Sequence, residues 1–170
     1  MPAPVALRIA LFALLACNTI YFIFAGRLSE ALESVAWYVL LILFTLEAAC
    51  PHLAQSAATR RAMRSARLIA TFAIGLTAVL YVREKEWLDA MNLMLWIAVV
   101  TLLEIEVWRP TLVAAHQRAF IVTAFALYGS LAVMVVIWLT LGKWMNAWDA
   151  TGWLLAFALL ENDMLRATTT

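Results

Sequence analysis

The stretch from Ala119 to Leu141 reads AFIVTAFALYGSLAVMVVIWLTL and contains no charged residue. It is 23 residues long. A membrane-spanning helix needs about 20 mainly apolar residues, because the hydrocarbon core of a bilayer is roughly 30 Å thick and a helix rises about 1.5 Å per residue. The stretch therefore predicts a transmembrane α-helix.

Five other stretches come close to the same length and composition. They cover residues 6–26, 31–49, 66–82, 87–107 and 146–164. The last of them is interrupted by Asp149 and closed by Glu161, so a re-entrant or interfacial segment is the alternative there. We predict an all-α, polytopic integral membrane helical bundle with six transmembrane helices, in which residues 1–170 form a single transmembrane domain.

The composition of the whole chain agrees with insertion into a membrane. Of its 170 residues, 66% are hydrophobic and 14% are charged, and the mean hydropathy is +0.90. About half of the residues of a soluble domain are apolar. The formal net charge is +1, which provides no basic field to hold nucleic acid. Nucleic acid is therefore excluded as a partner.

The distribution of basic residues predicts which helix ends face the cytoplasm. With six spans, one side collects Arg8, Arg60, Arg61, Arg64, Arg67, Arg109, Arg118 and Arg166, and the other collects Arg27, Arg83, Lys85 and Lys143. Because cytoplasmic loops carry the excess of lysine and arginine, both termini are predicted to lie in the cytoplasm, with the chain in the plasma (inner) membrane. Six tryptophans fall near the opposite ends, where indole rings anchor at the headgroup boundary. They are Trp37, Trp87, Trp138, Trp144, Trp148 and Trp153.

The longest loop, residues 51–65, lies on the predicted cytoplasmic side. It carries Arg60, Arg61 and Arg64. Basic residues clustered beside a membrane helix fix its topology and attract anionic headgroups. These three arginines are therefore predicted to contact lipid headgroups.

The even-numbered predicted helices resemble one another in their charge layout. Each begins with an acidic residue near the outer face and ends in a Leu-Glu step near the inner face. The acids are Glu33 and Glu47, Asp89 and Glu104, and Asp149 and Glu161. Leucine-rich helices of similar length also align by chance, so the comparison depends on the shared charges. These charges predict three related two-helix hairpins over residues 6–50, 66–108 and 118–165.

Each predicted hairpin opens with an arginine, which gives its inner glutamate a partner. Arg8 precedes Glu47 by 39 residues, Arg67 precedes Glu104 by 37, and Arg118 precedes Glu161 by 43. Both members of each pair fall at the same predicted inner level, and an arginine fork suits a carboxylate at a semi-buried site. We therefore predict three structural ion pairs.

The alternative for the inner acids is a cytoplasmic vestibule that attracts cations, as acidic rings do in cation pores. Such a vestibule is formed by Glu47, Glu104, Glu106, Glu161 and Asp163. Glu106 and Asp163 have no arginine of their own at the start of a hairpin. These two residues are therefore the candidates for a cation pathway.

Residue types that usually carry catalysis or hold a cofactor are few. His52 and His116 lie in predicted loops, where they cannot clamp a haem inside the bilayer. Cys17 and Cys50 fall at different predicted depths, so a disulfide between them is not expected. Neither a nucleophile elbow nor a glycine-rich phosphate loop occurs. The chain is predicted not to be an enzyme and to bind no metal or cofactor.

Two functional classes fit these features. The first is a non-catalytic membrane subunit that scaffolds or stabilises a larger membrane complex, with membrane lipids and other membrane protein subunits as partners. It is favoured by the short loops and by the large apolar side chains on every helix. The second class is a small cation or proton channel or transporter that uses the cytoplasmic-side carboxylates. A homo-oligomer is compatible with both classes.

Overall fold

The structure is a computed structural model that describes residues 5–49 and 56–167, and the side chains of residues 6–46, 56–106 and 109–158. Over these ranges the chain is entirely helical outside its turns. The helices are α1 (Val5–Ala25), α2 (Leu28–Ala49), α3 (Ala57–Glu84), α4 (Trp87–Trp108), α5 (Pro110–Ala115), α6 (Gln117–Thr140) and α7 (Trp144–Ala167). The predicted all-α class is confirmed.

Helix α3 differs most from its predicted span, since it begins at Ala57 and not near residue 66. Ser56 precedes it in an extended conformation and forms its N-cap. The residues that follow are alanine, arginine and methionine among others, which favour helix, and neither glycine nor proline interrupts them. Much of the predicted loop 51–65 is therefore the start of a helix.

Five helices are long and apolar enough to cross a membrane. They are α1, α2, α3, α4 and α6. Helix α7 has 24 residues, but its described part does not meet the same criteria of length and apolarity. Five spans are thus supported by length and composition, and a sixth crossing by α7 remains a prediction.

The chain divides into two compact units. The α2–α3 unit comprises Phe12–Lys85, and the α4–α7 unit comprises Met1–Leu11 and Glu86–Thr170. Inside the units, α2 packs on α3, α4 on α6, and α6 on α7. The three related two-helix hairpins remain a prediction.

The core of the α2–α3 unit lies along one face of α3. This face presents Ala70, Ile74, Thr77 and Tyr81, whose spacing of three or four residues keeps them on one side of a helix. Helix α2 packs against α3 with Ala36, Trp37, Leu40 and Leu41 buried. Between α1 and α2, the Ser34 hydroxyl donates a hydrogen bond of 3.0 Å to the Thr19 hydroxyl.

The core of the α4–α7 unit is an apolar cluster in which α6 meets two neighbours. Met134 and Trp138 of α6 and Ala147 and Ala150 of α7 are buried together, and Leu88 and Leu95 of α4 pack against them. Small side chains let helix backbones approach closely. The two alanines therefore allow α7 to pack tightly on the large side chains of α6.

The turn between α1 and α2 has no room for a larger residue than glycine. A Cβ atom at Gly26 would lie 2.7 Å from the carbonyl oxygen of Phe22 and 3.1 Å from its Cα. Since both atoms belong to the backbone, we expect Gly26→Ala to lower the free energy of unfolding by roughly 2 kcal/mol. Denaturant titration of the purified protein in mild detergent, followed by circular dichroism, measures this change.

Gly75→Ala is the matched control for this prediction. Nothing lies within 4 Å of a Cβ atom at Gly75, which is in the middle of α3. Alanine is favoured over glycine in a helix by up to about 1 kcal/mol. Equal destabilisation by the two substitutions would contradict a steric role for Gly26.

Candidate functional site

The α4–α7 unit holds a charged cluster at the N-terminal ends of α4 and α7. Lys143 Nζ lies 3.2 Å from Glu86 Oε2 and 3.6 Å from Asp89 Oδ2. Asn146 Nδ2 donates a hydrogen bond of 3.2 Å to Asp89 Oδ1. The Asp89 side chain is only 3% exposed, and a buried carboxylate requires such a cation and donor. We call these four residues the lysine cluster.

The turn after α6 places Lys143 beside α4. The N–H of Gly142 donates to the carbonyl oxygen of Leu139 at 3.2 Å, and the N–H of Lys143 donates to that of Trp138 at 2.9 Å. These bonds form a Schellman motif, in which the residue after the helix takes a left-handed conformation. Gly142, with φ 72°, supplies this conformation without the steric cost that a side chain brings.

The α2–α3 unit holds a second charged cluster, at the start of α2 and the end of α3. Arg27 Nη2 donates to Glu30 Oε1 at 2.9 Å, and the Arg27 backbone N–H donates to Glu30 Oε2 at 2.8 Å. Glu84 Oε2 accepts a hydrogen bond of 2.6 Å from the Ser29 hydroxyl and lies 3.9 Å from Arg27 Nη1. We call Arg27, Ser29, Glu30 and Glu84 the arginine cluster.

A further carboxylate contact lies one turn from the arginine cluster. The hydroxyl of Tyr81 donates a hydrogen bond to Glu33 Oε2. Tyr81 is buried and Glu33 is half-buried. Because a partly buried carboxylate gains most from a donor that is fixed in place, this bond holds α2 and α3 at a defined level.

The clusters share one sequence spacing: a basic residue, a polar residue three positions later and an acidic residue six positions later. It occurs as Arg27-Glu30-Glu33, Arg83-Glu86-Asp89 and Lys143-Asn146-Asp149. The polar and the acidic residue of each triad lie near one face at the start of α2, α4 or α7, and the basic residue lies at or beside the turn before that helix. Only the last residue of each triad entered the predicted repeat, so this spacing is the sequence signal that would have indicated both clusters.

Both clusters join helix ends through ion pairs. In each, one cation is shared by two carboxylates, and Glu30 and Asp89 also lie in the first turn of a helix, where the helix dipole favours negative charge. Among the described side chains, no three of the His, Cys, Asp and Glu type are placed to hold a metal ion. Each cluster stabilises one helix end against another.

The arginines predicted to contact lipid headgroups lie on a helix. Arg60, Arg61 and Arg64 are all exposed and belong to the first turns of α3. Arg67, one turn further on, places its guanidinium 5.2 Å from the centre of the Phe44 ring. This cation–π contact was not predicted from the sequence, because it depends on how α2 and α3 pack.

Two of the predicted inner ion pairs have a member outside the described side chains. Arg8 and Arg118 are exposed. Their predicted partners, Glu47 and Glu161, are not among the described side chains. Both pairs therefore remain predictions.

The third predicted pair and the cation-pathway candidates also remain predictions. Arg67 belongs to the α2–α3 unit and Glu104 to the α4–α7 unit. Near the end of α4, Glu104 is exposed and Glu106 is half-buried. Asp163 lies outside the described side chains.

The predicted tryptophan anchors fall into two groups. Trp87, Trp144 and Trp148 are exposed at the helix ends that carry the lysine cluster, as expected for indole rings at a membrane boundary. Trp37, Trp138 and Trp153 are buried inside their units, so their prediction as anchors is wrong. Position along a helix predicts depth, but it does not predict which face of the helix is covered.

Several hydroxyl groups along the helices donate hydrogen bonds to their own backbone. Six of them donate to the carbonyl oxygen four residues earlier, namely those of Thr19, Thr45, Thr77, Thr101, Ser130 and Thr151. This is the usual way for a hydroxyl to satisfy itself within a helix. These groups therefore do not by themselves indicate a polar pathway.

Helices of this length and apolarity indicate an integral membrane protein. Comparison of the chain with protein-family models, curated proteins and solved structures found no significant match.

Proposed function

We propose that the chain is a non-catalytic integral membrane subunit that scaffolds or stabilises a larger membrane complex. The observation that carries this proposal is the separation of charge from apolar surface. Within the lysine cluster and within the arginine cluster, opposite charges pair at helix ends, whereas the helix flanks expose large apolar side chains. Such flanks suit lipid chains and the helices of other membrane proteins.

Helix α6 gives the clearest support. Val122, Phe125, Val133 and Val136 are all exposed, and their spacing places them on one side of the helix. The opposite side carries the buried Leu131, Met134 and Trp138. The buried side of α6 therefore packs inside the α4–α7 unit, and its exposed side is available to apolar neighbours.

The proposal includes six membrane crossings, with α7 as the sixth. The protein lies in the plasma (inner) membrane, and both of its termini are cytoplasmic. The excess of arginine near the predicted inner ends supports this orientation. The exposed Trp87, Trp144 and Trp148 support an outer boundary at the lysine cluster. The triads of basic, polar and acidic residues support a relation between the even-numbered predicted helices.

Gentle detergent extraction of the tagged full-length chain, followed by mass spectrometry, tests the proposed function. We expect other membrane subunits to copurify in fixed proportion. We also expect liposomes that contain the purified chain alone to show no cation or proton flux above that of empty liposomes. Purification as a lone protein together with flux would contradict the proposal.

The second candidate is a small cation or proton channel or transporter. It is favoured by the two carboxylates in the last turns of α4, Glu104 and the half-buried Glu106. The helix dipole is unfavourable to negative charge at that end, so their presence needs a reason. If flux is found, its loss on Glu104→Gln or Glu106→Gln assigns it to these groups.

A further inference from the structure

Two polar atoms in the core of the α4–α7 unit have no hydrogen-bond partner. They are the side-chain oxygen Oδ1 of Asn92 and the indole nitrogen Nε1 of Trp138. Asn92 is 9% exposed and Trp138 is 2% exposed. Because a buried polar group without a partner costs free energy, such groups are nearly always paired with protein or with ordered water.

Asn92 lies on the buried side of α4, where its neighbours Asp89 and Trp96 contact residues of α7. It stands between Leu88 and Leu95, at the spacing of four and then three residues that defines one helix face. Leu88 and Leu95 both pack against the apolar cluster that contains Trp138. The Asn92 side chain therefore lies on the side of α4 that meets α6 and α7.

The lysine cluster places the start of α4 beside the end of α6. Lys143 is bonded through its backbone N–H to the carbonyl oxygen of Trp138, and its side chain meets Asp89. Asn92 follows Asp89 by three residues, about 4.5 Å further along α4. A long side chain on a helix leans toward the helix N-terminus, so the Trp138 ring extends in the same direction from the end of α6.

The two unpartnered atoms are complementary in type. An indole nitrogen can only donate a hydrogen bond, and an amide oxygen can only accept one. One water molecule accepts from the indole N–H and donates to the amide oxygen, and it keeps a second hydrogen for another acceptor. Buried waters in proteins occupy sites of this kind, where polar groups otherwise lack partners.

We propose that α4 and α6 bind one buried water molecule, which bridges Asn92 Oδ1 and Trp138 Nε1. The bridge extends the polar contacts of the lysine cluster one turn further into the bundle. It makes the packing of α4 on α6 dependent on hydration as well as on apolar contact. The inference does not depend on the proposed function as a membrane subunit.

Nuclear magnetic resonance of the full chain in detergent micelles, with ¹⁵N-labelled tryptophan, tests the bridge. Trp138→Phe identifies the Trp138 indole signal by its loss. In the unaltered protein, we expect a cross-peak between the Trp138 indole proton and water. This cross-peak should remain when the signals that arise from rapid exchange with bulk water are filtered out. We expect Asn92→Leu to remove this cross-peak, because the water loses the amide that holds it.

Asn18→Leu is the matched control, since Asn18 is also buried but belongs to the α2–α3 unit. It should leave the Trp138 cross-peak in place. The proposal is overturned if the unaltered protein shows no such cross-peak, or if the cross-peak survives Asn92→Leu. Should Asn92→Leu fail to fold, the unaltered protein alone decides, because its cross-peak is either present or absent.

Discussion

Replacing Lys143 by methionine is expected to lower the free energy of unfolding by about 2 kcal/mol. The substitution removes the cation that faces both Glu86 and Asp89. Asp89, which is 3% exposed, then keeps its negative charge and its hydrogen bond from Asn146 but loses the lysine cation. The loss is smaller than for a fully buried pair because the Lys143 side chain is itself 35% exposed, and water screens part of the interaction.

Denaturant titration in mild detergent, followed by tryptophan fluorescence, measures the effect of Lys143→Met. Lys85→Met is the matched control, because Lys85 also lies in a turn at a helix end and is exposed. Adding Asp89→Asn to Lys143→Met should restore part of the lost stability, since it removes the charge that needs a cation. An equal effect of Lys85→Met, or no rescue by Asp89→Asn, would argue against the ion pair as the cause.

Leu131→Ala is expected to destabilise the α4–α7 unit by roughly 2 kcal/mol. Leu131 is fully buried in the middle of α6, so its truncation leaves a void between packed helices. In a membrane or a micelle, the apolar surroundings compensate for lost burial but not for lost packing. The expected cost therefore lies at the lower end of the range measured for leucine truncations in soluble cores.

Leu139→Ala, on the same helix, serves as the control for Leu131→Ala. Leu139 is 40% exposed, and removal of its side chain leaves surface that detergent can cover. The same titration should give a change of less than about 0.5 kcal/mol for this variant. Similar losses for the two leucines would mean that α6 does not pack as described.

The existence of the helices was predictable because it depends on local composition. An apolar run such as residues 119–141 has no alternative in a membrane other than a helix. The start of α3 was harder to place, since apolarity ends near Arg67 while helix propensity continues back to Ala57. Hydropathy predicts where a helix lies in the lipid, and it does not predict where the helix begins.

The faces of the helices were not predictable in the same way. When nearly every residue is apolar, the sequence gives little sign of which side faces protein and which faces lipid. Trp138 and Trp148 illustrate this, because both fall near the same helix ends and only Trp138 is buried. The lysine cluster could be inferred in part from the triad spacing, but the pairing of Lys143 with α4 depends on tertiary packing.

The Schellman motif after α6 limits how this part of the chain can change. Its two backbone bonds and the left-handed Gly142 fix the number of residues between Trp138 and Lys143. One inserted residue would break this bonding pattern and would carry Lys143 away from Asp89. Substitutions of the exposed apolar residues of α6 do not disturb these backbone bonds. The length of this turn is therefore under tighter restriction than the identity of the apolar residues beside it.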